Sequence, residues 1–269
     1  MRKVLLALVL AVFLFIPAKR VLAADELTYE RAYSDYTYNL AQYQKAYADY
    51  QLTRTQYLTS QTLGNQTAAQ EATLRMLQTR DEVVKTHLTA LRMKISDTEG
   101  MLGSEKELYF SQIDQEVKWY DTHKTNLPST GSLDDLVDDS AKAEDRYKST
   151  ILIMYNGLAA VSLGKVVNYQ NSLATTISEL KTKISEIRMN GDKDTSKTER
   201  WVLEVDNRLT RSKDKITEAR TLLFKMKSGS RDQLSIFNSA QFKAGEGLQF
   251  LKEVDNYMME IIKELKTAD

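Results

Sequence analysis

The chain has 269 residues, with 37 basic and 37 acidic side chains, two histidines and no cysteine. The absence of cysteine excludes a disulfide framework and thiolate metal sites, and the even mixture of charge excludes the concentrated basic surface that nucleic-acid binding needs. Two prolines and ten glycines are too few for an all-β protein, whose turns recur every ~8–12 residues. The expected class is all-α.

The first segment reads as an export signal. Arg2 and Lys3 precede an uncharged apolar run of 13 residues from Val4 to Ile16, which Pro17 ends. Val21-Leu22-Ala23 then forms a cleavage site, with Ala24 opening the mature chain. This three-part layout predicts a secretory signal peptide over residues 1–23; a membrane span needs about 20 apolar residues. An uncleaved leader acting as an anchor is the lesser alternative, favoured by Lys19 and Arg20 beside the cut. A lipid-modified cysteine is excluded. Taking away these 23 residues with their four basic groups leaves 246 residues carrying 33 basic and 37 acidic side chains, a net charge of −4. The expected location is periplasmic, cell-surface or extracellular.

Residues 24–64 form the most distinctive element. Tyr29, Tyr33, Tyr36, Leu40, Tyr43, Tyr47, Tyr50, Arg54 and Tyr57 are spaced alternately four and three apart, a heptad seam with tyrosine in most of the positions usually held by Leu or Ile. Asp25 is placed to cap this helix, and Gly64-Asn65 marks its end or a weak point in a longer one. Residues 65–269 then read as a long-helix bundle. A helix over about 67–123 carries Leu74, Leu77, Val84, Leu88, Leu91, Ile95 and Leu102, with Asp81 and Thr98 at polar seam positions. Asp81 demands water or a basic partner. Gly100 and Gly103 soften this helix, and Ser104 with Glu107 offers a restart as a capping box. Asn126 to Gly131 is the clearest break. Ser132, with Asp135 three residues on, opens a helix over about 133–189 containing the apolar stretch 151–164. After the turn at 190–194, Ser196 and Glu199 form another capping box for a helix over about 196–267, broken or bent at Ser228-Gly229-Ser230. Helices of ~55–60 residues are ~80–90 Å long and must lie side by side. The expected fold is an elongated antiparallel up-and-down helical bundle, or coiled coil, of three to four long helices.

Little in the chain points to chemistry. His87 and His123 are 36 residues apart and neither sits in a ligand pair, so no transition-metal site is expected. There is no Gly-x-Ser-x-Gly and no phosphate loop. Asn190, Asp192 and Asp194 imitate the start of a calcium loop, but Thr195 stands where glycine is needed and Trp201 where the bidentate acid belongs. Asp134, Asp135, Asp138 and Asp139 fall in the first turns of a helix, where acids complement its dipole. No catalytic, cofactor-binding or metal residues are expected, no cofactor, and no enzymatic activity.

The candidate interaction face is Tyr29, Tyr33, Tyr36, Tyr43, Tyr47, Tyr50 and Tyr57. On one reading its rings fill a seam and its hydroxyls reach the wet edge. On the other it is an exposed or half-exposed aromatic face for a partner helix, a glycan polymer or a second copy. Tyr38 lies off the seam and is expected to be exposed. The leading functional expectation is an exported structural or interaction protein: a scaffold, spacer or adhesion rod at the cell envelope. One alternative is a membrane-active helical protein using 151–164, in the manner of a pore-forming toxin, although that stretch is short for a span. Another is a periplasmic chaperone-like binder.

Overall fold

The computed structural model describes residues 27–191 and 194–266. The leader, Asp25, Asp192 and Thr267 lie outside them. The helices are α1 (Tyr29–Thr59), α2 (Leu63–Ser96), α3 (Gly103–Asn126), α4 (Leu133–Asn190), α5 (Ser196–Phe224) and α6 (Gln233–Lys266), with a 3-10 turn at Leu127–Ser129. The protein is all-α, with no strand among the described residues.

Several helix starts follow from their sequence. Thr28 and Thr62 cap α1 and α2, each hydroxyl accepting from a backbone N–H three residues on. Ser132 caps α4: its Oγ accepts from the Asp135 N–H at 3.2 Å and donates to Asp135 Oδ2 at 2.7 Å. The start of α5 departs by one residue from the expected Ser196–Glu199 box: Thr195 is the cap residue, and its hydroxyl donates to Glu199 Oε1 at 2.9 Å.

Two of the expected long helices are hairpins, so the described residues form six α-helices rather than three to four long ones. The helix expected over 67–123 stops at Ser96 and restarts at Gly103. Gly100 takes φ +77°, and the chain reverses instead of kinking. Leu102, not Ser104, is the cap residue of α3, and it supplies no side-chain bond. Reversal is favoured because it buries Ile113 and Tyr120 against Leu88 and Ile95, which a straight helix would leave in water. Gly100 sits over α4, and Asn168 Nδ2 donates to Glu99 Oε2 at 2.7 Å to hold the turn there. The helix expected over 196–267 is divided between Phe224 and Gln233, where the break or bend at Ser228-Gly229-Ser230 was expected, with Gly229 at φ +71°.

α4 is the spine, 58 residues and about 87 Å long. Cross-helix pairs set the directions of its neighbours. Arg92–Asp114 and Lys85–Asp121 make α2 and α3 antiparallel, as Arg208–Glu253 and Lys197–Glu264 do for α5 and α6. α3 and α5 both run against α4, through Arg146–Glu116 and Lys181–Asp206. The core follows the spine in three stations. Leu136 packs with Ala46, Met76, Leu77 and Leu127. Met154 and Val161 join the Leu88–Ile113 cluster. Leu163 to Ile184 meet α5 and α6 through Val205, Ile216, Leu251 and Val254.

The apolar stretch 151–164 lies where the last two stations meet. Gly157 lets Leu91 of α2 come close: a methyl group there would stand 3.0 Å from Leu91 Cδ2. On another side the Tyr155 ring meets Phe237 of α6 at 5.1 Å. α4 is the one helix among the described residues long and apolar enough to cross a membrane by length and composition, and half of that window is buried inside the protein. Partners on several sides account for its composition without a bilayer.

Candidate functional site on the tyrosine hairpin

α1 turns back at Ser60–Thr62 and packs antiparallel on α2. The Tyr36 ring meets His87 at 4.9 Å, and Lys94 Nζ lies 4.1 Å over the Tyr29 ring. The tyrosine helix is therefore neither continuous with the next helix nor an overhang of it. Its buried line is not the tyrosine seam. The fully buried side chains of α1 are Ala32 and Ala46, with Asn39 and Thr53 half-buried at the same seven-residue spacing. These small residues face Ala69, Ala72, Met76 and Ala90 on α2, and they let the two backbones approach. The heptad count located a real stripe but not its centre, because tyrosine and alanine carry separate seven-residue series side by side.

The displacement sorts the tyrosines into two kinds. Tyr29, Tyr36, Tyr43, Tyr50 and Tyr57 flank the alanine line and are half-buried. Tyr33 and Tyr47 stand out, 49% and 41% exposed, and Tyr38 on the far side is 65% exposed, as its off-seam position requires. The rings form two ladders. Tyr33 touches Tyr29 at 5.8 Å and Tyr36 at 6.0 Å; Tyr47 touches Tyr43 at 5.8 Å and Tyr50 at 6.1 Å. Leu40 interrupts the aromatic series between the ladders, and the exposed Arg54 separates the second from Tyr57. Contacts of this kind hold each exposed ring by its neighbours, which lowers the entropy a partner must remove on binding. Past the second ladder the hairpin ends in exposed Leu52, Leu58 and Leu63.

Behind the ladders, four helices converge on a groove of about 370 Å³. Tyr43, Tyr120 and Tyr147 form its aromatic walls, with Arg80 and Glu144 at its polar points. Burial pushes the Tyr43 and Tyr147 hydroxyls above the usual phenol range, and for Tyr147 the neighbouring Tyr155, Tyr36 and Tyr43 add to the effect. Burial also lowers the His87 imidazole below its usual 6.5. Above that value both folded and unfolded chains hold the ring neutral. Below it the unfolded chain takes up a proton before the folded one does, so stability falls as pH drops towards the folded value. His87→Gln is expected to flatten the decline in Tm between about pH 7 and about pH 5. Parallel Tm–pH curves for the two proteins would refute this assignment.

A polar network beneath the groove was only partly foreseen. Asp81, fully buried, meets His123 Nδ1 at 2.5 Å, and the His123 ring stacks on Trp119 at 4.9 Å. Of the two expectations for Asp81, water or a basic partner, the structure supplies a side-chain partner, His123, 42 residues away across the α2–α3 hairpin. Arg80 Nε stands 3.7 Å from Asp81 Oδ1, too far for a hydrogen bond. Beside this pair, Glu116 accepts from Arg146 Nε at 3.0 Å and Nη2 at 2.6 Å, and from Thr150 Oγ1 at 2.7 Å. The Tyr120 hydroxyl joins Thr150 at 3.2 Å, and burial pushes its pKa up to about 12. Arg146 and Thr150 carried no signal in the sequence, and Tyr120 only that of a helical pattern, since their partnership exists only once the hairpin brings them together.

Gly191 closes α4 at φ +71°, and Asp194 Oδ1 accepts from the Ser196 backbone N–H at 2.9 Å. Asp139 binds Lys142 and Thr130, which hold its carboxyl below the usual range. No group of three or more acidic or histidine side chains is placed to hold a metal ion among the described residues. Comparison with protein-family models, with curated proteins and with solved structures finds no match to this chain.

Proposed function

We propose that the protein is an exported, non-enzymatic scaffold, spacer or adhesion rod of the cell envelope that assembles through the tyrosine face of α1. In this reading the chain is an elongated up-and-down bundle, with the α1–α2 hairpin as its contact element and α4 setting its length. The observation that supports it most is the pair of tyrosine ladders, each presenting an exposed ring braced by two half-buried ones. Tyrosine offers a large contact area with a polar tip and few rotamers, which suits it to interfaces.

Tyr33 and Tyr47 are the residues to change, because the half-buried tyrosines also hold α1 to α2. Converting both to Ser is expected to weaken self-association or capture of an envelope protein at least tenfold, with circular dichroism unchanged. Undiminished assembly by the double variant would remove the proposal. The membrane-active alternative requires α4 to leave its packing at Gly157 and Tyr155. Leakage of dye from anionic liposomes, abolished by Leu158→Asp, would favour that alternative over this one.

A further inference from the structure

A second surface lies at mid-length of the spine, away from the tyrosine hairpin. α5 and α3 run in the same direction along α4, and the C-terminal end of the first comes up beside the N-terminal end of the second. Between them is a groove of about 600 Å³. One wall is Leu102, Leu108 and Tyr109 from the start of α3; the other is Leu223 and Phe224 from the end of α5; Leu163 of α4 is in the floor. The Tyr109 hydroxyl is spent inward on the Asn156 carbonyl at 3.4 Å, so its ring is presented as apolar wall. Leu102 is 71% exposed, Leu108 58% and Phe224 90%. An aromatic ring so fully in water, beside an open apolar groove, is a knob next to a hole.

Each wall also carries one charge of opposite sign, Glu105 on α3 and Arg220 on α5. A two-fold axis through the groove would set the α5 wall of each copy against the α3 wall of the other, placing Phe224 on Leu102 and Leu108 and bringing Glu105 towards Arg220. We propose that this groove is an isologous self-association site, whose occupant is the same surface of a second copy of the chain. The site is independent of the tyrosine face and adds a second contact to the molecule.

Sedimentation velocity on the purified protein over a concentration series tests it. The wild type is expected to dimerise, and Phe224→Ser to weaken the dimer by about thirtyfold or more, as loss of a central aromatic anchor does. Phe224 makes few contacts within its own chain, so the variant keeps its fold, as circular dichroism would verify. Glu105→Arg and Arg220→Glu are each expected to weaken the dimer by juxtaposing like charges, and the double reversal to restore it. A protein that remains monomeric throughout the series overturns the proposal, as does a dimer indifferent to Phe224→Ser. Failure of the double reversal to restore association overturns the pairing. A dimer lost with Tyr33→Ser and Tyr47→Ser but kept with Phe224→Ser would place self-association on the tyrosine face instead.

Discussion

Gly100→Ala is expected to cost about 3 kcal/mol or more of folding stability, the larger part of it from a collision rather than from the backbone angle. Gly100 holds φ +77°, a conformation that alone costs an L-residue ~1–2 kcal/mol. A methyl group at this position would also stand 2.2 Å from the Gly164 carbonyl oxygen and 2.6 Å from the Asn168 nitrogen. Both are backbone atoms inside α4, so neither can turn aside as a side chain would. Gly229→Ala provides the comparison. Its φ is +71°, and nothing lies within 4 Å of the added methyl, so its loss should stay near ~1 kcal/mol. Urea unfolding of the two variants separates the terms. Equal losses would show that α2 and α3 do not press on the spine at Gly164.

Glu116→Leu is expected to remove about 3 kcal/mol, the lower end for a broken buried ion pair because Arg146 keeps 35% of its side chain in solvent. Glu116 is 5% exposed and accepts three hydrogen bonds from α4. Its loss strands the guanidinium and leaves the Thr150 hydroxyl with only the Arg146 carbonyl, at 3.1 Å, as acceptor. Adding Arg146→Met removes the stranded charge, so the double variant should be more stable than the sum of the singles by about 1 kcal/mol or more. Strict additivity in a denaturant-based double-mutant cycle would mean that the pair is solvated and contributes nothing.

The helical class, the Ser132 cap and the break after Asn126 were legible because each is a local property of a few residues. Helix lengths were less so. Ile113 and Tyr120 continue a helical pattern whether the chain runs straight through Gly100 or doubles back on itself. The choice lies in contacts with Leu88 and Ile95, which periodicity cannot weigh. The same limit hid the partner of Asp81, since a 42-residue separation has no meaning until the hairpin closes. In α1 the difficulty was different. A seven-residue series of tyrosine and one of alanine coexist, and hydrophobic patterning follows the larger side chains. Burial follows the smaller ones, because Ala32 and Ala46 let the helices approach while tyrosine hydroxyls keep to water.

The outermost core station, around Leu136 and Leu77, has a mechanical consequence. Beyond it α1 and α2 continue without α3 or α4 beside them, as a projection two helices thick and about 20 Å long, from Met76 out to the loop at Ser60. A two-helix projection of that kind bends more easily than the parts stiffened by a third helix. Its end carries Leu52, Leu58 and Leu63 in water, while the second tyrosine ladder sits at its root. Under the proposed function, encounter and grip would fall at different places: the projecting end would widen the radius within which a partner is met, and the root at the second ladder would hold it.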